Sequence, residues 1–533
     1  MALRGRPGPR GSLQWILFEA CSMLETKQNI LVLMADQLTP LALAAYGNRV
    51  TKTPHIDALA REGVVFDSAY CASPLCAPSR FSLLAGKLPS NIGAYDNAAE
   101  FPSETLTSAH YLRAEGYRTV LSGKMHFCGA DQLHGFEERL TTDIYPADFG
   151  WTPDWQNFEA RPSWYHNMSS VIDAGPCVRT NQLDFDDEVT FTVRQKLFDI
   201  ARERHAGKDT RPFMMVASLT HPHDPYAIPR KYWDMYPDDD VDMPSYRDSL
   251  EASDPHSKRL RHVYEADRTP PTDRQIRNAR RAYYGAVSYV DDQFGAILEA
   301  LEQAGLANET TIIITSDHGE MLGERNLWYK MTFFEGGCRV PLIVHRPGRF
   351  EPHRVKESVS HLDVLPTLVE IARGELPESW PDAIDGQSLV PHLAETGGHD
   401  EAIGEYLAEG AIAPIVMIRR GAYKFIHSPA DPDQLYDLRA DPFERTNLAN
   451  DERHRATVAA FREEVARRWD LDALHRDVLM SQRRRHFHFA STTLGTIQSW
   501  DWQPRVDASQ RYMRNHIDLD DLEAMARFPA VQH

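Results

Sequence analysis

Cysteine is scarce in this 533-residue chain. Only six are present, at Cys21, Cys71, Cys76, Cys128, Cys177 and Cys338, with no regular spacing. That excludes a disulfide scaffold and reads as free thiols in a reducing, cytoplasmic setting. Cys71 and Cys76 are too far apart for Cys-x-x-Cys, and no matching second pair exists, which argues against a zinc site. Long apolar runs are also missing. Trp15 to Phe18 is stopped by Glu19, too early for a signal-peptide core or a membrane helix. No later span has membrane length, so no membrane partner is expected. Positive charge is in deficit: 58 Lys and Arg against 77 Asp and Glu leave -19, which argues against nucleic-acid binding. The rest is ordinary globular composition, 42% hydrophobic and 25% charged. The length suits one large domain and a smaller one.

The basic, Gly- and Pro-rich residues 1–27 are expected to be a disordered extension, with Met23 an alternative start. Asn29 to Ala35 is continuously apolar and stops at Asp36; Phe213 to Leu219 and Thr311 to Thr315 behave alike. Such runs predict strands buried on both faces of a parallel sheet. They end in Asp36-Gln37, Thr220-His221 and Ser316-Asp317-His318-Gly319. Helical patterns at Pro54 to Glu62, Ser103 to Glu115, Asp187 to Arg204 and Asp273 to Gln303 alternate with them. The expected fold is therefore α/β, doubly wound, with a mostly parallel central sheet, and ligands in such sheets sit beyond the carboxyl strand ends. Residues 140–180 and 222–272 break the rhythm and read as insertions over that crevice. Domains are expected at 28–399, at 400–480 as a C-terminal α+β subdomain, and at 481–533 as an extended tail. Asp431 to Asn450 reads as turns and Asp451 to Asp470 as a helix. The tail reads either as a strap over the chain's own surface or as an arm to a neighbouring subunit.

Carboxylates gathered at strand ends repel unless a cation compensates, and oxygen ligands favour calcium or magnesium. Asp36, Asp317 and His318 are thus candidate metal ligands, although Asp-His-Gly also fits a helix N-cap beside a packed histidine. In Cys76-Ala77-Pro78-Ser79-Arg80, Pro78 suits a helix first turn through Phe81 to Leu84. That puts Cys76 at a helix N-terminus, where negative charge is stabilised, with Arg80 able to grip an anion by its fork. Lys124 and His126 follow a strand from Tyr117 to Leu121; two residues apart in extended chain, they project to one side.

Cys-x-Pro-x-Arg is the recognition core for converting cysteine to formylglycine in sulfatases. Set after a strand ending in Asp36 and before Leu84-Ala85-Gly86, it makes the chain resemble that family from Gln28 onward. The resemblance implies an alkaline-phosphatase-like fold and formylglycine at position 76, installed by a separate formylglycine-generating enzyme. It also implies a bound Ca2+, with Mg2+ or Mn2+ as substitutes, held by Asp36, residue 76, Asp317 and His318. One hydroxyl of the hydrated aldehyde would attack sulfur while Arg80, Lys124 and Lys330 neutralise the sulfate oxygens. His221-Pro222-His223 and Lys330 resemble the family's anion-binding and proton-transfer groups; of these, His221 would protonate the leaving group, assisted by Lys330, and His126 would take the proton that lets sulfate depart. Many sulfatases carry a second aspartate where Gln37 stands and asparagine where His318 stands, which leaves Gln37 in doubt as a ligand.

The stretches Tyr95 to Phe101, His134 to Asp143 and Asp148 to Pro153, and Trp500 to Pro504 with Tyr512 to Asn515, resemble the choline-sulfatase branch. That implies choline sulfate as substrate. A trimethylammonium head is recognised by aromatic faces and carboxylates. Trp151, His166 and Asn97 are candidate contacts, with Glu409 and Asp521 as weaker candidates for the countercharge. Two other readings are open: a phosphonate monoester or phosphodiester hydrolase of the same superfamily, and an inactive choline-binding protein. The long aromatic tail leads us to expect a homodimer or homotetramer.

Overall fold

The computed structural model describes residues 27–145, 148–159, 166–249 and 251–496. The expected N-terminal extension up to residue 26, Asp521 and the tail motifs from Trp500 onward lie outside the described residues.

The central sheet is built from β1 (Asn29–Asp36), β2 (Val64–Tyr70), β3 (Arg118–Gly123) and the short β4 (Glu138–Arg139). After the small β5 (Gly175–Cys177) come β6 (Phe213–Pro222), β7 (Ala227–Pro229), β8 (Thr310–Ser316), β9 (Arg339–Val340), β10 (Leu342–His345) and β11 (His353–Ser360). Their order is β11-β2-β10-β8-β1-β6-β3-β4, with β9 added beside β2; β5 and β7 pair separately. The pairs β1/β6, β1/β8, β3/β6, β3/β4 and β2/β11 are parallel, while β10 runs antiparallel to both β2 and β8. The three apolar runs thus become adjacent central strands, every residue of β1, β6 and β8 being buried. Sheets covered on both faces demand such runs.

Eight helices matter for the site: α1 (Pro54–Glu62), α2 (Cys76–Ala85), α3 (Ser108–Ala114), α4 (Asn181–His205), α5 (Asp273–Gln303), α6 (Val364–Arg373), α7 (Arg455–Arg468) and α8 (Leu471–Thr492). α1, α4 and α5 pack together, with α4 and α5 against β6; α2, α3 and α6 form a second group. Two expected helix starts move for local reasons. Thr107 and His110 make a capping box, so α3 begins at Ser108 rather than Ser103. Thr180 accepts from the Leu183 N–H, so α4 begins at Asn181 rather than Asp187.

Beyond the sheet, β12 (Ala402–Tyr406), β13 (Ile415–Arg420), β14 (Tyr423–Ser428) and β15 (Asp431–Asp437) form an antiparallel meander packed by α7. The start of the stretch read as turns is thus a strand: Leu435 and Tyr436 are buried and pair with β14. α8 runs without a break across residue 480, where a tail was expected to begin.

In register, Ala35 lies opposite Ser316, Asp36 opposite Pro222 and Gly123 opposite Ser218. Four chain segments therefore leave the sheet at one edge. Gly123 has φ of 103°, and a Cβ there would lie 1.9 Å from the Ser218 carbonyl oxygen. Gly123→Ala should lower stability by about 2 kcal/mol or more, read as a lower urea midpoint at unchanged m-value.

Candidate active site

The site starts from α2. Leu75 is extended and Cys76 is the first helical residue, with Pro78 in the first turn. Every residue from Cys76 to Ala85 is buried, as an all-apolar helix face cannot explain but a charged partner network can. Asn97 Oδ1 accepts from the free Ala77 N–H (2.9 Å), and the Ser79 hydroxyl donates to the Asp317 carbonyl.

Arg80 supplies that network. Its Nε donates to Asp317 Oδ2 (2.9 Å) and its Nη2 to Asp36 Oδ2 (3.1 Å). Nη1 reaches Ser218 Oγ (2.9 Å) and the Lys124 carbonyl. The guanidinium and both carboxylates have no solvent exposure. Arg80, expected to grip a substrate anion, is engaged by Asp36, Asp317, Ser218 and the Lys124 carbonyl. Lys124 Nζ is the second cation, paired with Asp36 and 4.0 Å from Cys76 Sγ. Burial alone would push the Asp36 carboxyl up, but Lys124 and Arg80 hold it well below the usual range. Burial likewise opposes ionising the Cys76 thiol; Lys124, Lys330 and His318 outweigh it and lower its pKa far below ordinary.

Asp36, Cys76, Asp317 and His318 offer one donor atom each within 4.8 Å of one another. Asp36 Oδ1 is buried with no hydrogen-bond donor among the described residues. His318 Nδ1 turns to the Gly319 carbonyl (3.0 Å), which leaves Nε2 facing Cys76 Sγ at 3.2 Å and Asp317 Oδ2 at 3.5 Å. No helix follows Asp317, so the N-cap reading falls away. Two carboxylates, one oriented imidazole and an orphaned oxygen fit a divalent cation.

Lys124 and His126 do not lie on an extended strand as expected. The chain turns at Gly123, and His126 has φ of 61°. Asp143 holds the turn by accepting from the Met125 and His126 N–H groups at 3.0 and 2.7 Å. Both side chains nevertheless line the cavity, and the His126 ring faces the Cys76 thiol.

The structure takes His221 away from the cavity. Its Nδ1 lies 2.7 Å from Asp186 Oδ2 and its ring meets Tyr289 edge-on. The cavity residue is His223, two positions later. Its Nδ1 faces the Asp224 carbonyl (2.7 Å), and its Nε2 lies 2.9 Å from Lys330 Nζ. Lys330 is also held by Gln37 Oε1 (2.6 Å), and Gln37 Nε2 bonds to Glu320. Gln37 thus orients a lysine. Reading the sequence put His223 in the candidate set but chose His221 from it, weighed Gln37 only as a doubtful metal ligand, and missed Asp224.

A cavity of about 250 Å³ opens over Cys76. Asn97, Lys124, His126, Trp151, His166 and Glu409, all expected near substrate, line it together with Tyr145, His223 and Asp224. Arg80 and Lys330 lie behind this wall. Trp151 meets His126 edge-on at 5.5 Å, and His166 stacks on Tyr329 at 4.5 Å. Burial, then Lys330, pushes His166 down to about 4. Glu409 is raised well above the usual carboxyl range by burial. Asp224 is held well below it, because His166, His223 and Lys330 overcome burial.

Against known families, residues 28–374 match the sulfatase model. Residues 323–470 match the C-terminal model of N-sulphoglucosamine sulphohydrolase, and residues 476–528 match that of the choline sulfatase enzyme C terminus. A choline-sulfatase from Rhizobium meliloti is 46% identical over 95% of this chain and 99% of its own length. An arylsulfatase from Clostridium perfringens is 29% identical over 81% of this chain and 92% of its own. In fold, the phosphonate monoester hydrolase of Agrobacterium radiobacter superposes with a TM-score of 0.64 at 24% identity, covering 84% of this chain and 96% of that one.

Two measurements test this geometry. Calcium should raise the unfolding temperature, a chelator should reverse the rise, and Asp317→Asn should abolish it; an unchanged transition would refute the metal assignment. His361 touches Ser79 and Thr315 beneath α2, and burial, followed by His318 and Arg80, pushes it from 6.5 down to about 3. Its folded pKa lies below the unfolded one, so its contribution is complete above pH 6.5 and is lost as pH falls from there toward 3. His361→Asn should flatten that part of the stability–pH curve.

Proposed function

The chain belongs to the sulfatase family, and from that premise we propose that it hydrolyses choline sulfate to choline and inorganic sulfate. The observation that carries this reading is the mixed lining of one small cavity. Lys124 and the metal-ligand cluster at Cys76 suit a sulfate, while Glu409, Asp224, Trp151 and Tyr145 on the same wall suit a trimethylammonium group. A volume of about 250 Å³ matches a single small ester rather than a sugar polymer.

Oxidised to formylglycine and hydrated, residue 76 would supply the nucleophilic hydroxyl, and a divalent cation, calcium in preference to magnesium or manganese, would supply charge neutralisation at the sulfate oxygens. Asp36, Asp317 and His318 hold that cation, with Arg80 fixing both carboxylates from behind. Lys124 stabilises charge on the sulfate oxygens. The choline oxygen is a poor leaving group and needs a proton. His223 Nε2 and Lys330 Nζ share one at 2.9 Å, and His223 faces the cavity, so His223 takes the role first expected of His221. His126, whose ring faces residue 76, would accept the proton that residue 76 gives up as sulfate leaves. Glu409, its carboxyl pushed well above the usual range by burial, faces the cavity where the ammonium would lie. Assembly as a homodimer or homotetramer, a cytoplasmic location and a separate maturation enzyme belong to the same reading. No helix among the described residues is long and apolar enough to cross a membrane.

The test is an assay of matured enzyme on choline sulfate, an aryl sulfate and a phosphodiester, paired with the mass of the Cys76 peptide. Choline sulfate should show the highest kcat/KM; a phosphodiester preference would move the activity to the phosphonate-hydrolase alternative. His223→Ala should lower kcat by roughly 10²–10⁴-fold and His221→Ala by less. The reverse ranking would restore His221 as the proton donor.

A further inference from the structure

Helix α8 bonds to two of the segments that carry cavity-lining side chains, the one around Asp96 and the one from Thr152 to Gln156. Arg485, on its inner face, is almost fully buried, and Asp96 is completely so. Arg485 Nη1 and Nη2 bind Asp96 Oδ1 and Oδ2 at 2.5 and 2.7 Å in a two-pronged pair, and Nη1 also reaches Thr152 Oγ1 at 3.2 Å. Asp96 precedes Asn97, and Asp96 Oδ1 accepts from the Ala98 N–H (2.9 Å). Thr152 follows Trp151. One turn away, Gln482 Oε1 accepts from the Trp155 N–H (3.1 Å), and the Trp155 indole donates to the Ala408 carbonyl (2.9 Å), next to Glu409. Asn97, Trp151 and Glu409 stand on three loops far apart in sequence. α8 bonds to the residues beside the first two and, through Trp155, reaches the neighbour of the third, while Asn97 itself also accepts from the Ala77 N–H of α2.

We propose that Arg485 is a positioning residue for substrate recognition: its paired grip on Asp96 and Thr152 holds Asn97 and Trp151 at the cavity, so that α8 sets affinity for the ammonium end of the substrate and not the rate of S–O cleavage. This rests on the choline sulfate reading. A buried guanidinium–carboxylate pair is a strong directional tie, because removing either partner leaves the other charge unpaired. Its effect falls on residues at the cavity wall and misses Asp36, Asp317, Lys124 and His223, which other elements hold.

The experiment uses the full-length, matured protein. Arg485→Met, Arg485→Lys and Asp96→Asn are compared with wild type on choline sulfate and on 4-nitrophenyl sulfate, which has no ammonium group, with Cys76 conversion and Tm recorded for each. For Arg485→Met and Asp96→Asn the expected result is a KM for choline sulfate raised about tenfold or more, with kcat and the aryl sulfate KM within about threefold. Arg485→Lys should recover part of the loss. An equal KM rise on both substrates, a shared fall in kcat, or no change would overturn the proposal. Hydrogen–deuterium exchange of residues 95–98 and 148–157 decides independently of substrate. Faster exchange there in Arg485→Met, or in Asp96→Asn should the first variant not fold, supports the grip; unchanged exchange rejects it. Wild-type enzyme inactive on choline sulfate but loosened at both segments by the substitution would remove the substrate reading and leave the grip standing.

Discussion

One guanidinium between two carboxylates, sealed from water, governs the rest of this molecule. Arg80 bridges Asp36 at the end of β1 and Asp317 just past β8. Burying three charges is costly, and the arrangement persists because each is answered by another and the spare donors find Ser218 and a carbonyl. Lys124 adds a second positive charge against Asp36. The cluster is thus close to neutral by itself. A divalent cation held among the remaining donors would add positive charge suited to a sulfate oxygen. Structure and reactivity depend here on the same ion pair.

Legibility followed how local each determinant was. Asp36, Asp317 and His318 could be read because an apolar strand must end somewhere, and its end marks the reactive edge of a parallel sheet. Cys76 and Arg80 were visible in a pentapeptide whose helix start is written in Pro78. The exchange of His221 for His223 was not readable, because it depends on Asp186 projecting from α4 and on Lys330 arriving from a distant loop. Gln37 was legible as an oddity and illegible as a partner of Lys330 for the same reason. The antiparallel insertion of β10 between β8 and β2 leaves no trace in an apolar tetrapeptide. Trp151, His166 and Asn97 entered through resemblance alone; the cavity that unites them is made by non-local packing.

The cavity is also graded in charge without any charge being exposed. The Asp224 carboxyl is held well below the usual range, where His166, His223 and Lys330 outweigh burial, whereas burial pushes that of Glu409 well above it.

The complete burial of α2 has a consequence in time. Folded around an intact thiol, the protein shows none of the stretch from Cys76 to Arg80 to any other macromolecule. On the proposed reading, an enzyme that oxidises Cys76 would have to meet this stretch while it is still extended, before β1 and β8 bring Asp36 and Asp317 around Arg80. The same arginine would then be read twice in the life of one chain, first as a letter in an unfolded recognition sequence and later as the central tie of the finished sheet edge. A chain that folds first has lost its chance.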